Sequence, residues 1–150
     1  MTPEEIISLL PYSEPFHFVD ELSAISENGV VGSYTFKKDS FFYIGHFKDF
    51  PVTPGVILTE TMAQIGLVCL GIYLLQDNLS NSKMPKIALT SNEIDFLAPV
   101  FPGEKVTVTS EKVYFRFGKL KCKVEMKNSA GKVVCRGYIA GMLKQTADEK

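Results

Sequence analysis

His46 and Glu60 are the side chains of this sequence best suited to moving a proton, and fourteen residues separate them. His46 is one of only two histidines and stands in an aromatic loop, "FFYIGHFKDF". Imidazole titrates near neutrality, so a histidine there can take or give a proton at physiological pH. Glu60 lies in an apolar run, "PGVILTETMAQIGLVCL", that offers a carboxylate few solvating neighbours. Burial among apolar side chains raises a carboxyl pKa, which suits general acid–base work. The plainer alternatives are a loop histidine holding a backbone carbonyl and a glutamate on the polar stripe of a surface helix. The apolar flanks of Glu60 weigh against the second.

Thr53-Pro54-Gly55 precedes this run. Thr53 suits a helix N-cap and Pro54 the first helical position. The N–H groups of Gly55 and Val56 then fall among the unpaired donors of the first turn. With no side chain on Gly55 a ligand can approach the backbone closely, and such an end suits a developing oxyanion. Pro-Gly at a helix start is common, so this signal is weak alone. Gln64 follows Glu60 by four residues, on the same helical face and within hydrogen-bonding reach. His17, between Phe16 and Phe18 in a strand-like run, reads as structural or surface-facing. Two histidines without ligand spacing give no metal site.

The elements that must position these residues follow from periodicity. A short helix is expected at Pro3–Leu9, with Thr2 as N-cap and Pro3 at the first helical position. "PFHFVDELSAIS" and "VVGSYTF" flank Glu27-Asn28-Gly29, a hairpin signal. A long helix is expected over roughly Pro54–Gln76, then a polar connector, "DNLSNSKMP". "KIALTSNEIDFLAPV" reads as a strand with a bend, and Pro99 and Pro102 punctuate the turn after it. "EKVTVTSEKVYFRF", "KLKCKVEMKN" and "KVVCRGYIAGMLK" complete the strands, and "QTADEK" reads as a frayed tail. Two helices and about six hairpin-linked strands predict an α+β fold, a curved antiparallel sheet wrapped around the apolar helix.

A chain of 150 residues is expected to form one domain spanning residues 1–150. Its 45% apolar and 22% charged residues argue against disorder, and with a net charge of −1 nothing suggests general nucleic-acid binding. Cys69, Cys122 and Cys135 form no CxxC pair and read as reduced core thiols of a cytoplasmic protein. "MTPEEIISLL" has no basic n-region, so it is not read as a secretory signal. The greasy stretch Ile65–Leu75 is about 11 residues against the ~20 needed to span a bilayer, and reads as core helix.

The stretch "GHF…P…PGV…E.MAQ" resembles the signature of the 3-hydroxyacyl-acyl-carrier-protein dehydratases of bacterial type II fatty acid synthesis. "LLPYSEPFHFVDEL" is similar to that family's opening, and "IDFLAPVFPGEKV" to its strand turn, so the resemblance covers most of the chain. It implies the hot-dog fold, with His46 and Glu60 as the catalytic pair. It further implies a homodimer with active sites at the interface, the histidine from one subunit and the carboxylate from the other; a trimer of dimers is a further assembly it allows. Glu60 would then face a narrow acyl tunnel. The departures are Lys48-Asp49-Phe50 where the family usually has Pro-Gly, Ile44 where it commonly has Gln, and Thr59 and Thr61 beside Glu60. They lie near the tunnel and its mouth, and bear on substrate and pathway.

On this reading His46 takes the C2 proton of a 3-hydroxyacyl thioester, and Glu60 positions or protonates the departing hydroxyl. Gly55 and Val56 hold the thioester oxygen, and Gln64 supports Glu60. No metal or redox cofactor is required, because the phosphopantetheine arm arrives with the substrate. The partner is acyl carrier protein, for which Lys37, Lys38, Lys48, Arg116 and Lys119 offer a basic patch. The alternatives are a hot-dog acyl thioesterase and a non-catalytic acyl-binding partner subunit. A dehydratase that also isomerises the double bond is disfavoured by glutamate, rather than aspartate, at the acidic position.

Overall fold

Strands are laid down here by a period of two, and β5 (Lys119–Lys127) shows how. Leu120, Cys122, Val124 and Met126 are buried along one face, while Lys119, Lys121 and Lys123 reach water on the other. β4 (Lys105–Arg116) repeats the pattern, with Val106, Val108 and Ser110 inward and Thr107, Thr109 and Glu111 outward. A computed structural model describes residues 1–78 and 85–145 of the chain. Its other strands are β1 (Glu21–Ser26), β2 (Gly29–Thr35), β3 (Pro85–Phe96) and β6 (Val133–Gln145). All six form one antiparallel sheet in the order β1-β2-β4-β5-β6-β3. β3 therefore lies at an edge, and its expected bend is a register shift between Leu89 and Ser91.

Among the described residues two α-helices accompany the sheet. α1 (Pro3–Ser8) starts on a capping box: Glu5 N–H donates to Thr2 Oγ1 at 3.1 Å, and Thr2 N–H reaches back to Glu5 at 3.4 Å. α2 (Gly55–Leu74) lies against the sheet and takes a π-helical turn over Gln64–Cys69. Every residue from Thr61 to Ile72 is buried, as in a core helix covered on all sides. The expected shortness of its apolar part does not hold. At 20 residues α2 is long enough to cross a membrane by length and composition, and it is the 78% burial of its apolar window that makes it core. A buried helix packed on a six-stranded antiparallel sheet is the arrangement the resemblance implies. Cys69, Cys122 and Cys135 are free and buried in the core, as expected.

The helix meets the sheet at a glycine. Ser110 Oγ–H donates to Gly66 O at 2.9 Å, and a Cβ on Gly66 would lie 3.0 Å from both Ser110 Cβ and Val124 Cγ1. Gly66→Val should therefore destabilise the fold by about 1–3 kcal/mol through overpacking. A thermal melt unchanged from the parent would mean that the helix rides further from the sheet.

Three local expectations are corrected. The strand expected over "PFHFVDELSAIS" shortens to β1, because Phe16 and Phe18 bond to a helix side chain instead of a neighbouring strand, and His17 between them is half-buried. The first hairpin turns on Glu27 and Asn28, with Ser26 opposite Gly29, so Gly29 begins β2 rather than sitting within the turn. The long helix begins at Gly55 and ends at Leu74, followed by a short 3-10 turn, Gln76–Asn78. The rest of the polar connector, 79–84, and the tail, 146–150, lie outside the described residues. The Phe117-Gly118 turn stands where expected, with φ of 52° and 75°.

Candidate active site

The loop bearing His46 is tied at both ends. Val52 N–H donates to His46 O at 2.8 Å, and His46 Nδ1 lies 2.9 Å from Val52 O. A carbonyl can only accept, so Nδ1 carries a proton, and in the neutral ring the lone pair is then on Nε2. The ring stacks on Phe47 with centroids 4.1 Å apart, which fixes its plane. Several large apolar side chains of this loop and of the first turn of α2 are exposed. Ile44 is 84% exposed and Val56 76%, and Phe47 and Phe50 are also open to water.

The helix entrance differs by one residue from the expected cap. Pro54, at φ −58° and ψ 140°, is the extended N-cap residue, and Gly55 is the first helical position. Thr53 does not cap: its buried hydroxyl pairs with Tyr43 OH at 2.6 Å, joining the His46 loop to the start of α2. Thr53 N–H donates to Val100 O at 2.8 Å, which ties the same point to the segment after β3. Ile57 and Leu58 both donate to Pro54 O. The N–H groups of Gly55 and Val56 have no acceptor among the described residues, as expected of the first turn. A Cβ on Gly55 would lie 3.2 Å from the Phe96 ring, so the entrance is narrow on that side.

Glu60 stands five residues on, roughly 7.5 Å along the helix axis. It is half-buried, and burial holds its carboxyl above the usual range while the bond from Gln64 pulls it down. Gln64 is wholly buried and fully used. Its Nε2 donates to Glu60 Oε2 at 3.1 Å and to Phe16 O at 3.0 Å, and its Oε1 accepts from Phe18 N–H at 2.8 Å. One amide thus orients the carboxylate and replaces the strand partner that Phe16 and Phe18 lack. Gln64→Leu should strand those backbone groups, destabilising the fold by about 1–3 kcal/mol for each buried group left unpaired. The Glu60 carboxyl should titrate higher in the same variant. A melt and a Glu60 titration both matching the parent would contradict this role.

Glu60 opens into a cleft of about 260 Å3 whose walls include Tyr12, Phe16, Leu67, Ile87 and Leu89. Glu60 and Gln64 are thus brought together, and Gly55 and Val56 sit at the entrance of the same helix. His46 is not among the residues lining that cleft, and no hydrogen bond joins it to Glu60 among the described residues. Tyr12 and Phe16 had no spacing signal to connect them with residue 60. A second depression, about 380 Å3, lies on the sheet between Glu111, Lys123, Glu125 and Arg136. Glu111 stands opposite Lys123 and Glu125 opposite Arg136, cross-strand pairs of a solvated face rather than a reaction centre.

Of the expected basic patch, Lys37 pairs with Glu14 at 3.5 Å and Arg116 lies over the Tyr114 ring at 4.4 Å. Lys38 lines an open groove with Ile44 and Pro51 beside the His46 loop, and Lys48 is exposed within that loop.

Comparison with known proteins shows the family of the chain. Residues 10–140 match the FabA-like domain. The chain is 34% identical over 143 residues to the 3-hydroxyacyl-acyl-carrier-protein dehydratase FabZ of Clostridium perfringens, covering 93% of this chain and 96% of that one. Among solved structures, the dehydratase heterocomplex ApeI:P from Xenorhabdus doucetiae superposes with a TM-score of 0.79 at 15% identity, over 99% of this chain and 95% of that one. The thioesterase HI1161 of Haemophilus influenzae gives 0.71 at 17%, over 99% and 94%. At such identities the two structures share the fold alone.

Proposed function

The chain belongs to the FabA-like domain family, with relatives among the 3-hydroxyacyl-acyl-carrier-protein dehydratases, and from that premise we propose that it dehydrates 3-hydroxyacyl thioesters to trans-2-enoyl thioesters. The observation that carries this reading is the half-buried Glu60 carboxyl, raised by burial and aimed into an apolar cleft. In the proposed reaction His46 Nε2 takes the proton from C2. The C2–H electron pair becomes the C2–C3 double bond as the C3–O bond breaks, and Glu60 protonates the hydroxyl, which leaves as water. The Gly55 N–H stabilises the enolate-like oxygen; one such donor is typically worth about 3–4 kcal/mol at the transition state. The Val56 N–H beside it binds the same thioester group. The phosphopantetheine arm belongs to the substrate.

The working unit is a homodimer in which His46 of one copy meets Glu60 of the other. Two features support this. Ile44, Phe47 and Phe50 of the His46 loop and Val56 of the first turn of α2 are large apolar side chains left exposed. Edge strand β3 also presents Leu89 and Phe96 to solvent. The carrier is acyl carrier protein, and Lys38 and Lys48 are the cations best placed to meet its acidic surface. We assign the protein to fatty acid or related specialised acyl-chain synthesis in the cytoplasm, where its buried thiols stay reduced.

The test is to incubate the purified protein with a 3-hydroxyacyl thioester on pantetheine or carrier protein and follow the acyl mass. Loss of one water from the intact thioester is expected. Release of free thiol would move the assignment to thioesterase, and an unchanged substrate across chain lengths would favour a non-catalytic acyl-binding subunit.

A further inference from the structure

The cleft beside Glu60 contains a second polar group that the proposed chemistry does not use. Tyr12 lies in the loop between α1 and β1 and forms one wall of that cleft. Its ring is held by Phe16, with centroids 6.3 Å apart, and Phe16 in turn packs edge-on against buried Phe18 at 5.0 Å. The Tyr12 hydroxyl has no hydrogen-bond partner among the described residues. No fully buried side-chain polar atom is left unpaired among them, so this hydroxyl is not sealed in the core. Burial, then the charge of Glu60, then Cys69, push the phenol up to about 12, so it stays a hydrogen-bond donor across the physiological range. Glu60 and Tyr12 therefore face one space without bonding each other, and Phe16, Leu67, Ile87 and Leu89 around them are apolar.

We propose that Tyr12 is a specificity-determining residue of this cleft, donating a hydrogen bond to an oxygen carried by the acyl group and so favouring an oxygenated chain over a plain saturated one. The inference rests on the proposed function to the extent that the cleft takes an acyl group. A saturated chain in the cleft displaces water from the phenol and offers no acceptor, leaving a polar group unpaired in apolar surroundings. A 3-hydroxyacyl chain brings an oxygen to the space between Tyr12 and Glu60. The two carboxyl oxygens alone could not donate to it while Glu60 is ionised, whereas the phenol always can.

The experiment measures binding of 3-hydroxyoctanoyl-pantetheine and octanoyl-pantetheine to the full chain in a His46→Ala background, which removes the proposed base. The same pair is then measured with Tyr12→Phe added, which keeps the ring and its packing on Phe16. With Tyr12 present the hydroxylated ligand should bind more tightly by about tenfold, the size of one neutral hydrogen bond. With Tyr12→Phe the two affinities should converge, without loss of affinity for the saturated ligand. An unchanged preference, or an equal loss for both ligands, would overturn the assignment and leave Tyr12 as packing. Binding of neither ligand in either protein would overturn the cleft as an acyl site, and with it the proposed function.

Discussion

Glu60→Gln should lower the rate of dehydration by about 10²–10⁴-fold, the usual contribution of a positioned acid–base group, without loss of fold. Glutamine keeps the volume, and its carbonyl oxygen can accept the bond that Gln64 Nε2 now donates at 3.1 Å. The clamp on Phe16 and Phe18 therefore survives. What is lost is the proton. The same variant carries a stability signature with a definite sign. The folded-state pKa of Glu60 is raised above its ordinary 4.5, so the folded state prefers the protonated carboxyl. Its favourable contribution is fully present below pH 4.5 and is lost as pH rises through the folded-state value. Glu60→Gln removes that penalty, so the variant should melt above the parent near neutrality and the difference should shrink toward acid pH. Thermal melts across this range check the point. A variant that melts below the parent at neutral pH would mean that Glu60 is held as a stabilised carboxylate.

His46→Ala should bring a loss of the same order, about 10²–10⁴-fold, by removing the base. Alanine also removes the bond from Nδ1 to Val52 O, so it tests the loop and the chemistry together. His46→Asn separates them. Its amide can donate to Val52 O from the position of Nδ1, while nothing replaces Nε2. Loss of turnover in both variants, with both folded, assigns the effect to Nε2. Full activity in His46→Asn would mean that histidine serves only to shape the loop.

Much of the fold was legible because it is written in short-range patterns. The alternation of Lys119, Lys121 and Lys123 with Leu120, Cys122 and Val124 is enough to predict β5 and its inner face. The capping box at Thr2 and Glu5 is equally local. The misread parts depend on partners far along the chain. Thr53 has the right chemistry for an N-cap, yet its hydroxyl turns to Tyr43, and Pro54 takes the cap position instead. Phe16–Phe18 has strand-like residues, but its backbone finds the Gln64 amide, more than forty residues away. Tyr12 joins the wall of the Glu60 cleft by the same long-range packing. For the candidate site, residue type and apolar context marked Glu60, and the structure adds its cleft and its clamp. Whether His46 and Glu60 meet within one chain or between two is invisible to spacing, since fourteen residues of separation allow either.

That division makes subunit mixing the most direct test of the proposed site. Copies carrying His46→Ala and Glu60→Gln, each inactive alone, are co-expressed with different tags, and the mixed pair is isolated and assayed for dehydration. If each site takes His46 from one copy and Glu60 from the other, one of the two sites in the mixed pair is intact. Its activity should then return to about half that of the parent dimer. A mixed pair as inactive as its two parents would contradict the shared site and the catalytic pairing of His46 with Glu60 across the interface.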